Sequence, residues 1–202
     1  MAYITLPTFV GYSTSSGPSR SSFVRRWRRQ YEDPARGGFN FYLRAANAIR
    51  TGRVSGRDRE VLRALVENAD ERTRPHYTEI ANGWLRYLGR RDLRPAEVGR
   101  SRWRLGSLEV GINPHLGLRK GDGPVHVTWL YFKEEPLSRD AAQMVLWLLE
   151  QTMDELRPGG RPLVVDVRRS KEFALSPRDR DKVRPWVRSE ASAFMSLWES
   201  AA

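Results

Sequence analysis

Cysteine is absent from the 202 residues. Its absence excludes disulfides, thiolate metal sites, iron–sulfur clusters and a cysteine nucleophile, and it fits a reducing compartment. Histidine is scarce: His76, His115 and His126 are the three in the chain, and no two stand at zinc-ligand spacing. No apolar run approaches the length of about 18 residues that a membrane helix needs. Residues 1–10 carry no basic segment, and Pro7 interrupts their apolar residues, so they do not read as a secretory leader. A Gly-rich phosphate loop and a G-x-S-x-G nucleophile elbow are both missing. The expectation is a cytoplasmic protein with no membrane partner and no bound cofactor.

Lysine is also rare. Of 35 basic residues only Lys120, Lys133, Lys171 and Lys182 are lysine, and the rest are arginine. Genome base composition can produce that bias. The excess over 24 acidic residues, a net charge of +11, is the more informative quantity. It implies attraction to a polyanion, either nucleic acid or an acidic protein partner. A hydrophobic content of 40% with seven Trp is enough to fill a core, and the length suits one core with a helical extension.

Taken in order, residues 1–22 read as a flexible arm: a weak alternation through Tyr3, Ile4, Leu6 and Phe9, then a Ser/Thr/Gly-rich linker. Residues 23–100 read as a helical, Arg-rich region. Its first helix places Phe23, Trp27 and Tyr31 on one face. Arg25, Arg26, Arg28 and Arg29 surround Trp27, a combination suited to phosphate contact with an aromatic for stacking, or to plain docking of an aromatic face on a core. Pro34 and the Gly37–Gly38 pair end that helix. Phe39, Tyr42, Leu43, Ala46 and Ile49 then recur at helix spacing. Asp58 is placed to cap a further helix, and Tyr77 to Leu88 form another apolar stripe.

Residues 101–202 read as a mixed-sheet core with a C-terminal helix, and residues 23–202 as one compact unit. Residues 108–119 alternate with period two and bend at Asn113–Pro114. A hairpin-sized turn at residues 120–124 leads to residues 125–133, apolar at nearly every position, as in a strand covered on both faces. Ser138 caps a mostly apolar helix that runs to Leu156. Residues 163–169 follow as a buried-type strand. Strand, helix, strand implies a parallel pair with a right-handed crossover. The expected class is α+β: a helical N-terminal region, then a small mixed sheet with one crossover helix and a C-terminal helix.

This order, with a short strand at residues 102–105 and a helix before it, resembles the core of the PD-(D/E)xK, or restriction-endonuclease-like, family in a degenerate form. The resemblance is topological and covers residues 58–169. It implies a divalent-metal phosphodiesterase site in which Glu109 helps hold Mg²⁺ and Lys133 positions the attacking water. Asp166, an acid in a buried-type strand, reads either as a further carboxylate of such a site or as a core acid paired with Arg168 or another Arg. Glu60, Glu67 and Gln143 stand on the flanking helices. The chain departs from the family pattern at two points. Tyr131 stands two residues before Lys133, where the family has Glu, and Asn113 stands where an acid would be. The residues expected to contact nucleic acid are Arg25, Arg26, Trp27, Arg28 and Arg29, with Arg119 and Lys120 at the sheet edge. The leading expectation is a basic nucleic-acid-interacting protein. Its alternatives are an assembly subunit that binds an acidic partner and a metal-dependent nuclease.

Overall fold

The computed structural model describes residues 1–33 and 41–201. The positions of Pro34, Gly37, Gly38 and Phe39 as helix boundary residues therefore lie outside it. The chain is α+β, with two sheets and a long C-terminal helix.

The N-terminal residues expected to form an arm are instead part of the core. β1 (Ala2–Thr5) pairs in parallel with β4 (Leu108–Ile112), and α1 (Leu6–Ser13) follows at once. Ile4, Leu6 and Phe9 are fully buried. Pro7 does not break this segment, because it sits in the first turn of α1, where a missing N–H costs nothing.

The strand expected over residues 108–119 is two strands in two different sheets. β4 ends at Ile112 and lies between β1 and β3 (Ser101–Leu105). β5 (Leu116–Lys120) starts three residues after Asn113 and lies between β2 (Leu93–Ala96) and β6 (Val125–Tyr131). Pro114 has no N–H to offer a ladder, so pairing stops there and the chain changes sheet. The hairpin from β5 to β6 forms as expected, with Leu116 opposite Thr128. β6 pairs in parallel with β7 (Arg161–Asp166), and β8 (Lys171–Phe173) closes the far edge. The five-stranded order is β2-β5-β6-β7-β8.

Alternation along the central strands separates two cores. Val127, Trp129 and Val164 face α6 (Arg139–Gln151) and α8 (Pro177–Ser200). Leu130, Phe132, Leu163 and Val165 face the layer of α3 (Phe41–Ser55), α4 (Asp58–Glu67) and α5 (Arg74–Leu88). Ser138 caps α6 by accepting from Ala141 N at 3.2 Å. Every residue from Ala141 to Leu149 is buried, as a helix apolar around its circumference requires. The helix expected to reach Leu156 breaks at Thr152, and α7 (Met153–Leu156) follows.

Two close approaches fix the helical layer. Asp58 is not a cap: it is the first residue of α4 and is buried. Arg53 Nε donates to its carboxylate at 2.8 and 3.0 Å, and Trp84 Nε1 at 3.3 Å. This polar contact joins α3, α4 and α5. At Gly83, α5 runs so close to the end of β7 that a Cβ there would stand 2.1 Å from the Val167 carbonyl oxygen.

Candidate functional site

α2 (Ser19–Glu32) carries the Arg–Trp cluster. Val24 is buried, and Phe23 and Tyr31 pack at the edge of the core. The rings of Phe23, Trp27 and Tyr31 follow one another at 6.0 Å spacing. Trp27 is half-buried, and its Nε1 is enclosed with no hydrogen-bond partner among the described residues. It is not a fully open stacking surface.

Arg28 is on the same side. It donates to Glu32 at 2.7 Å and to the Trp198 carbonyl at 2.7 Å, and it lies over the Trp198 ring. Arg28 therefore clamps α2 to α8.

The outward face is different. Arg25, Arg26 and Arg29 are exposed, and with Ser22 and Gln30 they border an open depression of about 660 Å³. Arg26 lies over the Phe23 ring at 5.6 Å. Among the described residues, no carboxylate forms an ion pair with Arg25, Arg26 or Arg29. Elsewhere many arginines are neutralised: Arg20 by Glu190, Arg53 by Asp58, Arg139 by Asp179 and Arg180 by Glu150.

Arg119 and Lys120 end β5, which is not the sheet edge as expected. β2 covers it, and Arg94 stands directly across from Arg119. Arg94 is itself paired with Asp92 at 3.1 Å. Lys120 is exposed and Arg119 half-buried. They form a second basic set on a different layer from α2, which packs on α1 and α8.

Of the three residues proposed for metal-assisted hydrolysis, Glu109 and Asp166 fall on different sheets and Lys133 on neither. Glu109 lies on β4 and accepts from Arg102 at 2.7 Å and Arg104 at 2.8 Å. Those bonds, Arg104's first, hold its carboxyl below the usual range. Asp166 ends β7 and is buried. It accepts from Leu137 N at 3.2 Å and from the Arg169 side chain at 3.3 Å, so it ties the loop before α6 to the turn after β7. Lys133 is exposed beyond the end of β6. Among the described residues, no three His, Asp or Glu side chains stand together as a metal-holding group. Glu109 and Asp166, each occupied by arginine, do not suit a shared Mg²⁺, which needs free carboxylate oxygens.

Lys133 instead lies at the rim of a cavity of about 430 Å³ at the C-terminal end of β6, between α1, α3 and the start of α6. Trp129, Tyr131 and Phe132 form part of its wall, with Tyr42 from α3 and His115 from the sheet-switching segment. His115 Nδ1 accepts from Leu130 N at 2.9 Å. Burial, helped by the charge of Arg50, drives its pKa down to about 4, so the ring is neutral and its proton sits on Nε2. Burial and then the charges of Glu135 and Asp166 push the Tyr131 hydroxyl up to about 12. In the sequence, Tyr42 and Tyr131 look like ordinary core aromatics. The signal that could point to a polar site here is His115 directly after the Asn113–Pro114 bend.

Compared with known proteins, the chain matches no family model and no curated protein. What it does must therefore be read from these side chains. The described residues contain no helix long and apolar enough to cross a membrane.

Proposed function

We propose that this protein binds nucleic acid through the exposed face of α2, with Arg25, Arg26 and Arg29 contacting phosphates. The observation that carries this reading is that, among the described residues, these three exposed arginines have no carboxylate partner, while many of the protein's other arginines are neutralised. Free guanidinium groups on an exposed helix face release counterions from a polyanion on contact, which makes binding favourable and salt-sensitive. The net charge of +11 adds long-range attraction. Arg28 holds the helix against α8, and Arg119 and Lys120 extend the basic surface elsewhere.

Binding rather than cleavage is the reading these positions support, because Glu109 and Asp166 are committed to arginines on separate sheets.

The test is fluorescence anisotropy of labelled single- and double-stranded oligonucleotides, with unlabelled poly-glutamate as competitor. The reading predicts that Arg25→Ala/Arg26→Ala/Arg29→Ala weakens oligonucleotide binding at least tenfold with folding intact. It also predicts that poly-glutamate competes poorly. Equal displacement by poly-glutamate would favour an acidic protein partner instead.

A further inference from the structure

The cavity at the end of β6 plays no part in the polyanion reading, and its chemistry differs from that of α2. It opens at the C-terminal end of a strand that leads through α6 to a parallel neighbour, the place where sheets flanked by helices commonly hold small ligands. Its volume of about 430 Å³ is within the range of small-molecule sites.

The wall offers flat aromatic faces. The Tyr42 ring stacks on Phe132 at 5.7 Å with 15° between planes. The His115 ring stands edge-on to Phe132 at 5.7 Å and 6.0 Å from Trp129. Such surfaces favour a planar ring, which stacks at little entropic cost.

The polar groups are few and specific. With Nδ1 engaged by Leu130 N, His115 has a single free donor, Nε2–H, which makes no hydrogen bond among the described residues. A donor at an apolar wall rewards a ligand that accepts from it. The rim carries Lys133 and Glu135, one charge of each sign, so it selects neither an anion nor a cation.

We propose that this cavity binds a small, uncharged, planar heteroaromatic molecule whose ring lies against the half-exposed rings of Tyr42 and Tyr131 and whose ring nitrogen or carbonyl accepts from His115 Nε2–H. A free heterocycle and an unpaired base of a nucleic acid share this chemistry.

The probes are quinoline, which has a ring acceptor, and naphthalene, which has the same shape without one, followed by saturation-transfer NMR on the full chain. The inference predicts that quinoline binds about tenfold more tightly than naphthalene, and that His115→Phe abolishes the preference. Leu43→Trp, at an exposed position on the rim (52% exposed), should weaken both probes while the fold persists, so the inference stays testable if the His115 variant unfolds. It is overturned if neither probe saturates the wild type, or if both bind with affinities that neither variant changes. Quenching of free 2-aminopurine riboside assigns the site to a free heterocycle, and quenching confined to an oligonucleotide carrying 2-aminopurine assigns it to a nucleic-acid base. Absence of both, with unbound quinoline, counts against it. Loss of oligonucleotide affinity in the α2 variant leaves the quinoline result untouched, so the two readings fail separately.

Discussion

A neutral imidazole at the turn between two sheets gives this protein a pH dependence of known sign. His115 accepts from Leu130 N through Nδ1, and burial holds its pKa down to about 4. In the unfolded chain its pKa is about 6.5. Between those values the unfolded state binds a proton that the folded state refuses. The histidine's contribution is therefore complete above about pH 6.5 and is lost as pH falls toward 4, by up to about 3 kcal/mol. Denaturant unfolding at pH 7 and pH 5 checks this. The wild type should lose more stability between them than His115→Gln, and equal losses would contradict the assignment. A second residue-scale prediction concerns Asp58. Replacing it with Asn leaves Arg53 without its counter-charge beside Trp84, and should cost about 3 kcal/mol of unfolding free energy. The sequence could place Asp58 at a helix start but not identify its partners. One lies five residues earlier and the other twenty-six later, and only folding brings them together.

At the scale of elements, strong patterns were readable and pairing partners were not. The apolar circumference of α6 and the continuous apolar run of β6 marked buried elements, and both are buried. The split between β4 and β5 was not legible. Leu108, Val110, Ile112, Leu116 and Leu118 keep one parity through the bend, and parity says nothing about which strand lies alongside. β2 was hidden because Arg94 and Pro95 are poor strand residues, yet an edge strand tolerates both. β1 and α1 were hidden by shortness and by Pro7, which reads as a breaker until the helix is seen to begin beside it. On α2 the outward positions of Arg25, Arg26 and Arg29 follow from helical spacing. That spacing also places Arg28 four residues after the buried Val24, which explains its inward role. The tightest element contact is α5 against the end of β7. Gly83→Ala would drive a methyl into the Val167 carbonyl, and is expected to cost about 3 kcal/mol, read as a lowered midpoint in chemical denaturation. An unchanged midpoint would mean that α5 does not pack this closely.

At the scale of the whole molecule, the excess positive charge is distributed unevenly in what it can do. Several arginines are structural. Arg53 joins helices, Arg28 clamps α2 to α8, and Arg168 ties β7 to α5 by pairing with Glu79. Composition counts all of these alike, so it could predict attraction to a polyanion but not where contact occurs. Burial and pairing make that distinction and leave Arg25, Arg26 and Arg29 as the set on α2 without a carboxylate partner among the described residues. The most direct measurement is the salt dependence of duplex binding for the wild type and the Arg25→Ala/Arg26→Ala/Arg29→Ala variant. Each phosphate contact contributes about 0.9 to the slope of log affinity against log salt. Three contacts on α2 predict that the variant's slope is shallower by about 2 to 3, with its unfolding midpoint unchanged. Identical slopes and affinities for the two proteins, or no binding by the wild type even at low salt, would contradict the account.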